Sequence, residues 1–243
     1  MRAIIYIGNG TQLAEGNAEF RTFIAEIKKK RPETIQELGF LSMSYPTIEI
    51  ACEKAIATGA DELIIVPVFL FSAINIKYEI PKILDSLTRK HPDITIKMTK
   101  TFGFDPEIIA LAKEKILQTN INFTKSKAVL LVGLGSERDS EPANRLYSVS
   151  HLLEKQLHLP VFHSEIKGEP CYPKVLENLI TQFDKIYILP YFLFTGAHVV
   201  AIDQERLHLQ KLYPDCETVL CESFHYHPLL ETAILQKITE LIG

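Results

Sequence analysis

Residues 189–198 read Leu-Pro-Tyr-Phe-Leu-Phe-Thr-Gly-Ala-His, and residues 66–75 read Val-Pro-Val-Phe-Leu-Phe-Ser-Ala-Ile-Asn, the same pattern 123 positions earlier. Working outward, Ile-Gly-Asn-Gly-Thr at 7–11 is answered by Val-Gly-Leu-Gly-Ser at 132–136, an offset of 125. Phe-Gly-Phe-Asp-Pro at 102–106 is answered by Phe-His-Tyr-His-Pro at 224–228, an offset of 122. Three matched segments in one order at nearly constant spacing indicate a duplicated chain, with halves at 1–121 and 122–243. Short β-branched runs alternate with amphipathic stretches, as βαβ units require. Strands are expected near 2–7, 35–41, 62–68, 94–99, 127–132, 160–165, 185–190 and 217–221. Helices are expected near 16–30, 47–58, 79–90, 106–118, 141–157, 172–183, 200–212 and 228–241. The expected fold is α/β: two homologous Rossmann-like lobes, each a four-stranded parallel sheet flanked by helices, with a cleft between. Such sheets bind ligands beyond the carboxyl ends of their strands, so the loops after the strands are where chemistry is sought.

Composition narrows the function classes. In 243 residues, 26 Lys and Arg face 30 Asp and Glu, a net charge of -4, so no general attraction for nucleic acid or an anionic membrane is expected. Cys52, Cys171, Cys216 and Cys221 lie far apart without a CxxC pair, which points to reduced thiols rather than a zinc knuckle or disulfide framework. The first apolar run, Ala3 to Ile7, is too short to span a bilayer and has no cleavage site after it. These features predict a soluble, cytoplasmic protein. With both halves in one chain, no oligomer is required.

Three loop pairs carry the polar chemistry. The glycine turns at 8–11 and 133–136 can bring backbone N–H groups to an anion, yet they lack the third glycine of a dinucleotide fingerprint and the lysine of a P-loop. The loops at 69–75 and 192–198 are aromatic and aliphatic, suited to core, cleft wall or a large flat ligand. His198 ends the second of these, where an imidazole can ligate a metal, take a proton, or serve as a plain structural group. After the second strand come Leu41 to Pro46 in one half and His163 to Pro170 in the other, where Glu165 or Glu169 could reach a site or remain a solvated charge.

Together, strand-Gly-x-Gly-Ser/Thr, the Pro-x-Phe-Leu-Phe-x-x-x-His/Asn loops and Phe-x-x-His-Pro-Leu-Leu near 224–230 resemble the sirohydrochlorin and cobaltochelatase family of class II tetrapyrrole chelatases, nearly end to end. The resemblance implies a chelatase-like fold and a divalent metal, Fe²⁺ giving sirohaem or Co²⁺, inserted into sirohydrochlorin without an organic cofactor. In members of this length it implies histidines in the first glycine turn and after the first Phe-Leu-Phe, with a Glu after the second strand. Here those histidine positions are Asn9 and Asn75, and Ser42 or a neighbour stands at the acidic one. In the second half the turn position is Leu134, whereas His198 is kept and Glu165 lies close to the acidic position.

Amides cannot take a proton near neutrality and are poor ligands for these ions beside imidazole. The reading is therefore a site displaced to the second half, with His198 and Glu165 as catalytic and metal-handling residues. Asn9, Asn75, Thr11 and Ser136 are expected to bind substrate, with Lys77 and Arg138 as further candidates for its carboxylates. His225 and His227 are read as structural or as cleft rim. The alternative is a non-catalytic tetrapyrrole or metal carrier on the same fold. A periplasmic-type binding protein is disfavoured by the short repeat.

Overall fold

A computed structural model describes residues 1–71, 75–119, 126–194, 196–225 and 227–242, with the backbone but not the side chain of Asn75. The junction of the two sequence halves, with Ser72 and Thr195 of the aromatic loops, falls outside the described residues.

The first sheet is built from β1 (Arg2–Gly8), β2 (Ile35–Phe40), β3 (Glu62–Pro67) and β4 (Thr95–Met98), parallel and in the order β2-β1-β3-β4. The second repeats it with β5 (Lys127–Gly135), β6 (Val161–Lys167), β7 (Lys185–Pro190) and β8 (Glu217–Leu220) in the order β6-β5-β7-β8. The central strands are covered on both faces, which is why they read as unbroken apolar runs: Ala3 to Ile7 and Ala128 to Val132 are all fully buried. The crossovers are α1 (Ala14–Lys29), α2 (Ile48–Ala57), α3 (Ile80–Lys90), α5 (Glu141–Leu157), α6 (Tyr172–Ile180) and α7 (Ala197–Leu212). A π-helical turn, Asn75–Glu79, precedes α3. The remaining helices, α4 (Pro106–Leu117) and α8 (Pro228–Ile242), follow the edge strands β4 and β8.

Two compact units result, and their membership differs from the sequence halves. The first comprises 1–103 and 230–243, the second 104–229. The last helix of each half is thus grouped with the other half's sheet. In the first unit Lys30, directly after α1, pairs with Glu231 of α8 at 2.5 Å. In the second, buried Lys115 of α4 reaches Glu222 at 2.9 Å, and His227 Nε2 lies 3.3 Å from Glu114 Oε1. The core of the first unit joins β1 and β3 to α2 and α3 through Ile5, Ile7, Ile48, Leu63, Ile65 and Ile80. The core of the second joins β5 and β7 to α6 and α7 through Leu130, Val132, Leu176, Ile186, Ile188 and Ile202, with the Tyr172 hydroxyl donating to the Ile202 carbonyl at 3.0 Å.

All four cysteines are unpaired. Among the described residues no helix is long and apolar enough to cross a membrane.

Gly135, at φ +70°, packs so closely that a Cβ would strike the Lys167 carbonyl and the Glu165 side chain, whereas Gly59, at φ +101°, has open space around it. Gly59→Ala should cost only the left-handed backbone penalty of about 1–2 kcal/mol. Gly135→Ala should cost that plus the clash, so urea midpoints of the two variants should separate clearly. Equal midpoints would mean that the turn after β5 is looser than described.

Candidate functional site

In an order such as β6-β5-β7-β8, the chain switches direction between β5 and β7, and the crevice beyond those strand ends is the usual ligand position. Three of the residues singled out above come from this end of the second unit. Glu165 lies on β6 itself rather than in the loop beyond it, because β6 runs on to Lys167 and pairs Gly133 with Glu165 and Gly135 with Lys167. Ser136 follows directly on β5, and its backbone N–H donates to the Glu165 carboxylate. His198 is in the first turn of α7, which begins three residues earlier than its sequence pattern suggests.

Glu165 is only 1% exposed. Burial pushes its carboxyl up to about 7, opposed in part by the Ser136 N–H. Its backbone N–H donates to the Pro170 carbonyl at 2.8 Å, which closes the loop at 168–170 back on the strand. Against it opens a cavity of about 770 Å³ whose lining includes Ser136, Arg138, Asp139, Glu165, Lys167 and Cys171. Two carboxylates of this rim are engaged with backbone donors: Asp139 accepts from Glu141 N–H and Glu169 from Cys171 N–H, both at 3.0 Å. The half-buried His198 ring lies over Phe192, centroids 6.0 Å apart and planes 24° apart. Desolvation, and secondarily the Lys167 charge, hold its proton affinity below that of an ordinary histidine. It is therefore a neutral imidazole at neutral pH, with a free lone pair. Among the described residues, no three His, Cys, Asp or Glu side chains gather into one metal-holding cluster.

The first unit has the same backbone and different chemistry. Gly8 pairs with Phe40 as Gly133 pairs with Glu165, and Phe40 N–H donates to the Pro46 carbonyl at 2.8 Å just as Glu165 does to Pro170. The counterpart of Glu165 is thus Phe40, not Ser42; Ser42 matches Lys167. The offset of 125 that relates the glycine turns already contained this, since it carries residue 165 to residue 40. Phe40 is buried edge-on against Phe20, centroids 5.5 Å apart, with the Arg21 guanidinium over its ring at 4.8 Å.

The remaining candidates divide. Asn9 is exposed on the first glycine turn, its amide donating to the Gly10 carbonyl at 3.2 Å while its own carbonyl accepts from Ser42 N–H at 3.1 Å. The Thr11 hydroxyl accepts from Leu13 N–H at 3.2 Å, and the Asn17 side chain bonds both its N–H and its carbonyl. The Ser136 hydroxyl accepts from Arg138 and Asp139 N–H, each at 3.2 Å. Both hydroxyls therefore organise their turns. Asn75 opens the π-helical turn, and its side chain lies outside the described residues. His227 accepts from Leu229 N–H at 3.3 Å, so it caps the start of α8. Lys167, Phe40 and the left-handed Gly168 escaped the sequence reading, although glycine beside the acidic position was a visible signal.

The raised carboxyl gives a stability test. An unfolded Glu releases its proton near pH 4.3, whereas folded Glu165 keeps it up to about 7. The stabilisation is therefore complete below about pH 4 and is lost as pH rises through 7. Without added metal, the melting temperature of the wild type should fall between pH 5 and pH 8 more than that of Glu165→Gln. At pH 8 the variant should be the more stable, by on the order of 1–3 kcal/mol. Parallel profiles would show that the carboxyl is solvated.

Comparison with known proteins agrees with the fold. The family model described as CbiX matches residues 3–119 and again residues 128–241. A sirohydrochlorin ferrochelatase of Priestia megaterium is 30% identical over 255 residues, covering 100% of this chain and 91% of the relative. A sirohydrochlorin cobaltochelatase of the same organism is 25% identical, covering 99% and 80%. SirB from Bacillus subtilis with Fe³⁺ matches in structure with a TM-score of 0.87 at 26% identity, over 98% of this chain and 94% of that one. Matched twice by one family model and along its whole length by these relatives, the chain belongs to the CbiX family.

Proposed function

We propose that this protein is a sirohydrochlorin chelatase that inserts Fe²⁺ or Co²⁺ into the metal-free tetrapyrrole, using His198 and Glu165 of the second unit. The observation that carries the reading is the contrast between the units. The second unit keeps a buried carboxylate on β6 beside the glycine turn and an imidazole in the first turn of α7, where the first unit has Phe40 and Asn75. The relatives that act on sirohydrochlorin with iron or cobalt support the substrate. The free cysteines suit a cytoplasmic setting.

Insertion exchanges two pyrrole N–H protons for one divalent ion, so the protein has to hold the ion briefly and accept protons. Neutral His198 offers a lone pair for either task. Glu165, with its carboxyl near 7, can release a proton when metal or substrate arrives and take one back near neutrality. The Ser136 N–H stabilises the ionised form of the Glu165 carboxylate, against the burial that resists it.

Removing a positioned acid, base or ligand costs about 10²–10⁴-fold in rate. His198→Ala should lose at least the low end of that range in an anaerobic spectroscopic insertion assay, with its circular dichroism intact. Glu165→Ala should lose less, as a group that tunes a ligand usually does. Near wild-type turnover in His198→Ala would remove the site from the second unit. A wild-type rate no faster than spontaneous insertion would favour the carrier reading, which Asn9, Asn75 and Leu134 suggest.

Asn9, exposed on its turn, is assigned to substrate binding, an interaction equal in ground and transition states. Asn9→Ala should therefore raise KM several-fold and spare kcat. A fall in kcat at constant KM would give it a role in the chemistry instead.

A further inference from the structure

The loop after β2 holds an anomaly that the metal site does not explain. Met43 sits at φ +56°, in the left-handed region that bulky residues avoid. In the second unit the same step, directly after the residue whose carbonyl meets the turn glycine, is taken by Gly168 at φ +104°. The first unit thus strains its backbone to keep a long thioether where glycine would do. That side chain is not used for packing, since it is 64% exposed, and the Tyr45 ring two residues on is 67% exposed. An exposed Leu13 follows the neighbouring glycine turn, to which the loop is tied by the Ser42 N–H and hydroxyl, both donating to the Asn9 carbonyl.

The loop is displayed rigidly. Arg21 lies over the Phe40 ring and donates to the Tyr45 carbonyl and to the Ser44 hydroxyl. Among the described residues, Arg21 has no carboxylate partner. A strained methionine, an exposed tyrosine and a guanidinium without a carboxylate partner among the described residues therefore stand together at the carboxyl end of β1 and β2, the end at which parallel sheets take ligands. Thioether sulfur and a phenol ring suit the face of a conjugated ring, and a guanidinium suits carboxylates at its edge.

We propose that Met43 and Tyr45 bind the apolar face of the metal-free tetrapyrrole, with Arg21 meeting one of its carboxylates; this rests on the chelatase reading above. Self-association is the weaker alternative, because three side chains fall well short of the ~800 Å² per partner that a stable dimer buries.

The test exploits the strain. Glycine fits φ +56° without penalty, so Met43→Gly should keep or raise the melting temperature. It should also weaken binding of metal-free sirohydrochlorin, followed by absorbance titration under anaerobic conditions, about 5–10-fold. Tyr45→Ala should weaken binding comparably. Unchanged affinity in both variants overturns the proposal, and so does a lower melting temperature in Met43→Gly with unchanged affinity, which would make Met43 structural. A change of oligomeric state by size-exclusion chromatography at unchanged affinity overturns it in favour of a second copy as the occupant. Failure of the wild-type chain to bind would overturn the chelatase reading itself, an outcome separable from binding that the variants retain.

Discussion

In each unit the turn after the central strand can approach the end of its neighbour only because a glycine there has no Cβ. Gly10 at φ +82° lies against the Ser42 carbonyl, and Gly135 at φ +70° against the Lys167 carbonyl and the Glu165 side chain. That approach brings the Ser136 N–H to the Glu165 carboxylate. Gly168 extends the same constraint, since a Cβ on it would meet the Ser136 carbonyl at 2.7 Å. With the two chain segments this close, a carboxylate can be buried and still keep a donor, without which its burial would be prohibitive. The perturbed carboxyl of Glu165 depends on this backbone contact.

From one shared scaffold the units have gone opposite ways energetically. Phe40 buries an aromatic ring, worth on the order of 2–3 kcal/mol when fully enclosed, and gains contacts with Phe20 and Arg21. Glu165, at the same register position, carries a desolvated carboxyl whose ionisation is resisted. The first choice stabilises a fold, and the second makes sense where a group must change protonation near neutral pH. The reversal recurs one step further on, where the first unit accepts backbone strain at Met43 and the second does not at Gly168. Each unit is thus relaxed where the other is stressed, which is why functions are assigned to different loops in the two.

Much of this was legible from sequence, and the gaps have physical causes. The central strands β1, β3, β5 and β7 were visible because strands buried on both faces are nearly unbroken apolar runs, and the repeat was visible because glycine and aromatic positions are fixed by backbone geometry. The expected strand at 160–165 stopped two residues short, because the largely polar run from Ser164 to Glu169 suggested a loop where pairing continues to Lys167. Phe40 was passed over for Ser42 because an aromatic gives no sign of standing where a sister half has a carboxylate. The grouping of α4 and α8 could not be read, since it rests on contacts between residues far apart in sequence, among them Lys115 with Glu222 and Lys30 with Glu231, pairs 107 and 201 residues apart.

If His198 and Glu165 handle the metal as proposed, their charge state would suit delivery of an ion rather than its retention. A resident metal site gains affinity from ligands already ionised, as thiolates or low-pKa carboxylates are. In the proposed site the ion meets a neutral imidazole under the influence of Lys167 and a carboxyl that has to lose a proton first near neutral pH. Each feature reduces the protein's hold on the metal, while the tetrapyrrole offers four nitrogens and gives up two protons only once the ion enters. As the ion leaves, Glu165 regains its preference for a proton, and the proton it takes up is one that the ring has to lose. In the proposed role, release of metal and uptake of one of the two ring protons would favour each other at the Glu165 carboxylate, the second proton passing to solvent, so that burial of Glu165 weakens the hold on the ion instead of trapping it.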